Sequence, residues 1–344
     1  MADLRDILFG ISLEAIEGDR QVSISSLAFD SRKVKEGSLF VAIKGLTVDG
    51  HDFISQALDK GAVAILCEHF PDELASDVTY VMTSDSAAAL GIAAANFYGQ
   101  PSTKLKLVGI TGTNGKTTTT TLLHSLFLNL GYRAGLISTV ENKIEDHVLP
   151  AKFTTPDALQ LNELLQEMVD MGCTHCFMEV SSHALVQQRV AGVTFAGAIF
   201  TNISHDHLDF HKTFDAYIEA KKMLFDDLKG EAFALVNIDD KRSRIMLQNT
   251  KASKYSFGIK GMADYKGKIL TDSMQGLQMD IDNHEVWFKL VGEFNAYNLL
   301  TVYGTAALLG DDKEQVLATL SNLEGARGRF ELVPNDEGII AIVD

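Results

Sequence analysis

Gly109-Ile110-Thr111-Gly112-Thr113-Asn114-Gly115-Lys116-Thr117 is the stretch that decides the fold. It leaves an apolar, buried-type strand over 105–110 and opens a helical pattern running to about residue 130. A glycine-rich turn in that context lets backbone N–H groups converge on phosphate oxygens at a helix N-terminus. Lys116 then has the reach for β- and γ-phosphates, and the Thr117 hydroxyl can hold Mg²⁺. The usual spacing wants glycine at 110; this chain has Ile110 there, with glycines at 109 and 112. The other reading is a tight strand–helix turn with a merely exposed lysine. The glycines, the Gly-Lys-Thr ending and the flanking elements together favour nucleoside triphosphate binding.

Downstream, strand patterns over 135–139, 174–180, 195–203 and 233–238 alternate with helical ones over 156–171 and 213–228. In the first helix Leu159, Leu161, Leu164, Leu165 and Met168 share one stripe. Strands alternating with helices imply a parallel sheet with crossover connections. Residues 254–291 alternate more tightly and predict a small antiparallel extension, followed by helices over 295–309 and 312–323. Upstream, residues 20–100 read as a smaller α/β unit, with strands at 39–43, 62–66 and 80–82 and a helix over 84–98 capped by Ser84 or Asp85. Gly99-Gln100-Pro101-Ser102 is a breaker cluster. The expected organisation is an α/β chain with a small N-terminal domain (1–103), a central P-loop domain (104–330) and a C-terminal strand (331–344).

The composition fits. The 344 residues are 46% apolar and 22% charged, a globular balance. Thirty Lys and Arg against 46 Asp and Glu give a net charge of -16. That excludes broad nucleic-acid or anionic-membrane binding, which needs a basic surface. Three cysteines cannot build a disulfide framework and point to a reducing compartment. Residues 1–10 lack a signal-peptide pattern, and no apolar run is long enough to span a bilayer. A cytoplasmic monomer is expected, with small-molecule substrates and no nucleic-acid or membrane partner.

Two further clusters fall at strand ends, where ligands gather in open α/β sheets. One is Glu179-Val180-Ser181-Ser182-His183; the other runs from Asn202 through His205, Asp206, His207 and Asp209 to His211. Histidines and aspartates this dense invite a zinc reading. The neighbouring phosphate loop instead favours Mg²⁺, a hard ion that takes oxygen ligands, with Glu179 as its carboxylate. His205 and His211 read as residues of a polar solvated loop, more readily than His207. The Cys173-x-x-Cys176 spacing reads as ordinary buried cysteine.

Taken together the motifs resemble the Mur ligase family, the ATP-dependent amide-forming enzymes of peptidoglycan precursor synthesis. The matching pieces are Gly112 to Thr118, Glu179 to His183, Asn202 to His211, Gly292-Glu293-Phe294-Asn295-Ala296-Tyr297-Asn298 and Gly328-Arg329-Phe330-Glu331. Phe29-Asp30-Ser31-Arg32, Asp49-Gly50-His51 and Thr154-Thr155-Pro156-Asp157 are most similar to family members that add the third stem-peptide residue. The resemblance implies that ATP lies on Gly112, Thr113, Asn114, Gly115, Lys116, Thr117 and Thr118, with Asn295, Asn298 and Arg329 on the nucleotide side. It implies that Phe29 and Ser31, with the 46–48 loop, meet the uridine end of the substrate. Thr154, Thr155, Ser181, Gln187 and Arg189 would hold the rest of a UDP-sugar-peptide.

It further implies Mg²⁺ on Thr117, Glu179 and His207, and a carbamylated Lys221 as a further ligand. Sequence alone would read Lys221 as a surface lysine of an amphipathic helix. The implied reaction joins meso-diaminopimelate or L-lysine to UDP-N-acetylmuramoyl-L-Ala-D-Glu through an acyl phosphate, with Lys116, Glu179, His207 and Lys221 as the catalytic set. The family continues into a third domain with the amino-acid site. The apolar run 338–343 is therefore expected to begin such a domain, leaving this chain to bind substrates but turn over poorly. A folate-type polyglutamate ligase and a non-catalytic nucleotide-binding fragment are the alternatives.

Overall fold

The computed structural model describes all residues except Leu46, Arg327, Phe330, residues 334–340 and Asp344. Its internal contacts divide the chain into two compact units. The first comprises Met1–Lys104 together with Pro156–Glu167 and Val186–Val193; the second comprises Leu105–Thr155, Met168–Leu185 and Thr194–Asp344. The break at 104/105 follows the Gly99–Ser102 cluster, but the two later segments of the first unit give no such signal in the sequence.

The first unit opens with β1 (Ala2–Asp3) and α1 (Leu4–Ile7), then β2 (Ala15–Glu17), β3 (Ser23–Ile24), β4 (Ser26–Ala28) and β5 (Ser38–Val41). After α2 (Ile54–Asp59) come β6 (Ala62–Cys67), β7 (Thr79–Met82) and α3 (Ser86–Phe97). Five of these strands form a sheet in the order β2-β7-β6-β5-β4, parallel except for β2. The strands are apolar at consecutive positions because both faces are covered. Leu39, Val41, Ala64, Leu66 and Val81 pack with Ala89, Leu90 and Ala93 of α3, while Phe40, Ile65, Cys67 and Tyr80 pack with Ile54 and Ala57 of α2. Asp85 caps α3, accepting from the Ala88 N–H at 2.9 Å. At Gly91 in that helix the Ala191 carbonyl approaches so closely that a Cβ would lie 2.5 Å from it.

The second unit is built on an eleven-stranded sheet. Its strands are β8 (Lys106–Thr111), β9 (Ala134–Ile137), β10 (Glu141–Ile144), β11 (His147–Pro150), β12 (His175–Glu179), β13 (Gly197–Phe200), β14 (Phe233–Asn237), β15 (Ser253–Gly258), β16 (Tyr265–Ser273), β17 (Gly276–Ile281) and β18 (His284–Phe288). Its helices are α4 (Lys116–Asn129), part of α5 (Ala158–Asp170), α6 (Ser182–Val186), α7 (Leu208–His211), α8 (Phe214–Asp226), α9 (Ser243–Met246), α10 (Glu293–Leu309) and α11 (Lys313–Leu320). The spatial order is β11-β10-β9-β12-β8-β13-β14-β15-β16-β17-β18. The stretch from β9 to β16 is parallel, and β17 and β18 add the antiparallel extension. The hairpin β10–β11 adds a second antiparallel edge that the sequence does not announce, since Glu141 to His147 are mostly polar.

The missing glycine at position 110 has a simple cause. Strand β8 runs to Thr111, so Gly109 and Ile110 belong to the sheet and the phosphate loop proper is Gly112–Gly115. Ile110 is fully buried, and Gly109 makes room for the Phe195 ring, 2.8 Å from where a Cβ would stand. At the C-terminus β19 (Glu331–Val333) and β20 (Ala341–Val343) pair antiparallel, so 331–344 contains two short strands rather than one. The rest of that segment lies outside the described residues, as does Leu46 of the 46–48 loop. Among the described residues no helix is long and apolar enough to cross a membrane. Cys67, Cys173 and Cys176 are all buried and unpaired.

Candidate active site

Strand β8 lies between β12 and β13, all three parallel, so their carboxyl ends emerge side by side. The phosphate loop leaves β8 there and is braced from β13. Thr113 N–H donates to the Asn202 carbonyl (2.9 Å) and Asn114 N–H to Asn202 Oδ1 (3.0 Å). The Thr201 hydroxyl donates to the Asn114 carbonyl (2.7 Å). Gly115 has φ of 86°, a left-handed conformation that glycine adopts without penalty. Thr201 and Asn202 thus belong to the loop's support; the strand-end motif begins at Asn202, and Thr201 lies just outside it.

Both site lysines turn onto one atom of this loop. Lys116 Nζ donates to the Gly112 carbonyl (2.9 Å) and the Thr113 carbonyl (2.9 Å), and Lys221 Nζ donates to the same Gly112 carbonyl (3.0 Å). Burial pushes both ammonium groups toward deprotonation; for Lys221 the neighbouring Lys116 charge adds to that and drives it well below the usual lysine range. Glu179 and Asp206 oppose the shift at Lys116, and Asp206 opposes it at Lys221. Lys221 is therefore no surface residue: it is 1% exposed, because α8 turns that face toward the loop. Its neighbour Lys222 is also buried but pairs with Asp226 instead.

The end of β12 gathers a second group. Glu179 is fully buried, with its carboxylate accepting from the Thr139 N–H (2.9 Å) and the Thr139 hydroxyl (3.2 Å). Thr154 Oγ1 lies 3.1 Å from that hydroxyl, within reach to donate to it. The Thr155 hydroxyl donates to the Glu179 carbonyl (2.8 Å) and accepts from the Ser181 N–H (3.1 Å). Three of the expected substrate residues, Thr154, Thr155 and Ser181, thus share one network with the expected metal carboxylate. Thr139 completes it and lies outside the sequence motifs.

The other expected substrate residues belong to the first unit. Gln187 Oε1 accepts from Arg189 Nε (3.0 Å) and Nη2 (2.6 Å). Ser31 is buried and donates to Gln56 Oε1 (2.6 Å), and Phe29 packs at the edge of that unit's core.

The histidines after β13 depart from the sequence expectation. His211 is buried, with Nε2 2.8 Å from the Ser182 hydroxyl; burial, then the charges of His183, Lys221 and His207, lower its pKa. A solvated-loop reading therefore fails for His211, whose environment is set by α8 and the end of β12. His207 instead has a half-exposed side chain, 47%, with Nδ1 3.6 Å from Asp206. His205 is exposed and stacks on Phe214 at 4.4 Å. Tyr217 is fully buried among them; its hydroxyl lies 3.2 Å from Thr113 Oγ1 and its ring lies 4.4 Å from Lys221 Nζ.

Asn295 and Asn298 are buried too. Asn295 donates to the Val291 carbonyl (2.8 Å) and accepts from Asn298 (2.9 Å), whose own Oδ1 faces Thr119 and Gly115. Arg329 is exposed, and its charge reaches Lys116.

Among the described residues no group of three or more His, Cys, Asp or Glu side chains comes together as a metal cage. The Thr117 hydroxyl and the Glu179 carboxylate are oxygen donors of the kind Mg²⁺ takes, with its remaining positions commonly held by phosphate and water, whereas His207 offers a nitrogen. Burial raises the Cys173 and Cys176 thiols above the usual range.

Comparison with known proteins bears on the whole chain. The Mur ligase middle domain matches residues 110–306, and the Mur ligase family catalytic domain matches residues 23–98. A UDP-N-acetylmuramoyl-L-alanyl-D-glutamate--2,6-diaminopimelate ligase from Cytophaga hutchinsonii is 56% identical over 342 residues, covering 99% of this chain and 70% of that protein. A solved structure of a UDP-N-acetylmuramoyl-L-alanyl-D-glutamate--2,6-diaminopimelate ligase superposes with a TM-score of 0.84 at 28% identity, covering 98% of this chain and 69% of its own. The MurF ligase of Thermotoga maritima, solved in complex with ADP, shares the fold with a TM-score of 0.63 at 22% identity, covering 94% of this chain and 71% of its own.

Proposed function

The chain belongs to the Mur ligase family, and from that premise we propose that it is the ATP-dependent ligase that joins 2,6-diaminopimelate to UDP-N-acetylmuramoyl-L-alanyl-D-glutamate. The relatives' names favour diaminopimelate over lysine. The observation that carries the chemistry is the pair of buried lysines, Lys116 and Lys221, on the Gly112 carbonyl of a strand–helix phosphate loop. A buried Lys116 ammonium on loop carbonyls makes a site that gains from an incoming polyanion, and the adjacent buried Lys221 is driven toward its neutral amine.

In this reading the second unit holds ATP on Gly112–Thr118, with Asn295, Asn298 and Arg329 nearby. The first unit meets the uridine end through Phe29 and Ser31, and Thr154, Thr155, Ser181, Gln187 and Arg189 bind the sugar-peptide. The substrate carboxylate attacks the γ-phosphorus, ADP leaves, and the incoming amine displaces phosphate from the acyl carbon. Positioning and charge neutralisation do most of this work. Lys116 moves from the loop carbonyls to the phosphates. Thr117, Glu179, His207 and a carbamate on Lys221 would hold Mg²⁺, which would supply further charge neutralisation. The burial that lowers the Lys221 pKa favours the neutral amine that CO₂ requires. Three buried, unpaired thiols support a cytoplasmic setting.

The test is calorimetry of the chain with ATP and Mg²⁺, with UDP-N-acetylmuramoyl-L-alanyl-D-glutamate, and with a folate, followed by an ADP-release assay with diaminopimelate or lysine. Binding of ATP and the UDP-sugar-peptide is expected, with weak ADP release that favours diaminopimelate. Folate binding in place of the UDP-sugar-peptide would overturn the reading.

A further inference from the structure

Helix α7 is a single turn set between two residues with left-handed backbones. His207 precedes it with φ of 51° and Lys212 follows it with φ of 66°. Neither is glycine, and such conformations persist only where surrounding structure holds them. Of the four residues in that turn only His211 is buried. Leu208 is 37% exposed, and the half-buried Phe210 packs its ring on His183 at 4.1 Å. Within the turn the N–H of His211 donates to the His207 carbonyl at 3.0 Å. Outside it, His211 Nε2 meets the Ser182 hydroxyl at 2.8 Å.

Ser182 stands three positions after Glu179, at the exit of β12, while His211 follows β13. These two strands are not neighbours: β8, which carries the phosphate loop, runs between them. The imidazole–hydroxyl contact therefore ties the two outer strand ends together across the loop's own strand. The half-exposed His207 ring meets the edges of His183 (5.1 Å) and Tyr217 (6.0 Å) and stands 3.6 Å from Asp206, so its place depends on the turn that carries it.

We infer that His211 is a positioning residue, whose contact with Ser182 holds the strained turn and thereby places His207 for Mg²⁺. The inference rests on His207 belonging to the proposed metal set, and it adds how that ligand is kept in place. It assigns His211 no contact with substrate or metal.

The experiment measures ATP affinity by calorimetry across a Mg²⁺ titration, for the chain as it stands and for its variants. The unaltered chain is expected to bind ATP more tightly as Mg²⁺ rises. His211→Ala should lose at least tenfold of that enhancement, while Mg²⁺-free ATP affinity stays within twofold. His211→Gln places an amide near the position of Nε2 and should keep the enhancement; His211→Asn should not. Combining His207→Ala with His211→Ala should be no worse than His207→Ala alone, because both act through one ligand. Ser182→Ala removes the same contact with a minimal change of volume, and it decides the matter if His211→Ala fails to fold. A full Mg²⁺ enhancement in folded His211→Ala or Ser182→Ala would overturn the inference and leave the metal set standing. No Mg²⁺ enhancement in the unaltered chain would overturn both.

Discussion

A Cβ on Gly115 would lie 2.6 Å from Oδ1 of Asn298. That amide is itself fixed, through Asn295, to the Val291 carbonyl. Two separate constraints thus meet at Gly115, a left-handed backbone and a buried neighbour that cannot withdraw. Gly115→Ala should weaken ATP binding at least tenfold and lower stability by about 1–3 kcal/mol. Pairing it with Asn298→Ala should relieve the clash but not the backbone strain, leaving ATP binding impaired in calorimetry.

Lys116 and Lys221 crowd one carbonyl, and burial makes the Lys116 charge costly when no anion is present. Replacing a buried charge by an apolar side chain of similar length is often neutral or stabilising. Lys116→Met should therefore keep or raise the thermal midpoint of the free chain, while losing the upward shift that ATP gives the unaltered chain by mass action. Differential scanning fluorimetry with and without ATP separates the two effects. A Lys116→Met variant still stabilised by ATP would remove Lys116 from the nucleotide site.

Two buried histidines away from the site set a pH dependence. Burial lowers His124 and His175 to about 4, aided by Lys143 at His124 and by Lys106 at His175. Both are neutral in the folded chain and bind protons more readily once unfolded. Their contribution is fully present above pH 6.5 and is lost as pH falls from 6.5 toward 4. Each is worth roughly 3 kcal/mol at most over that window. Urea unfolding at pH 7 and pH 5 should show the loss, and His124→Phe should flatten it.

Gly91 offers a check on the first unit. A Cβ there would stand 2.5 Å from a backbone carbonyl, that of Ala191, which cannot yield as a flexible side chain would. Gly91→Ala should cost about 1–3 kcal/mol despite alanine's better helix propensity. Chemical unfolding followed by circular dichroism would measure it.

What was legible in the sequence was what local chemistry dictates. The phosphate loop announces itself because glycine, lysine and threonine are each needed at fixed positions, and the strand–helix rhythm follows from apolar period. The loop's true start at Gly112 was less legible, since nothing local says that β8 continues to Thr111. Burial of loop residues was not legible at all. His211 and His207 have similar neighbours in sequence, yet packing of α8 and Ser182 buries one and leaves the other half-exposed. Lys221 likewise looks like any lysine on an amphipathic helix until the fold turns it onto Gly112. The β10–β11 hairpin stayed hidden because an edge hairpin needs no apolar face.

The first unit's late segments, residues 156–167 and 186–193, bear on how the protein is made. Ala158 belongs to that unit's core and Ala191 packs on α3, so a ribosome that has released only residues 1–104 has not released everything the unit needs. By the time Val193 emerges, the second unit has already delivered β8, α4 and β12. N-terminal units usually complete before the next begins. Here the two must mature in overlapping intervals, and a fragment ended at residue 104 would be a core with pieces missing rather than a free-standing module.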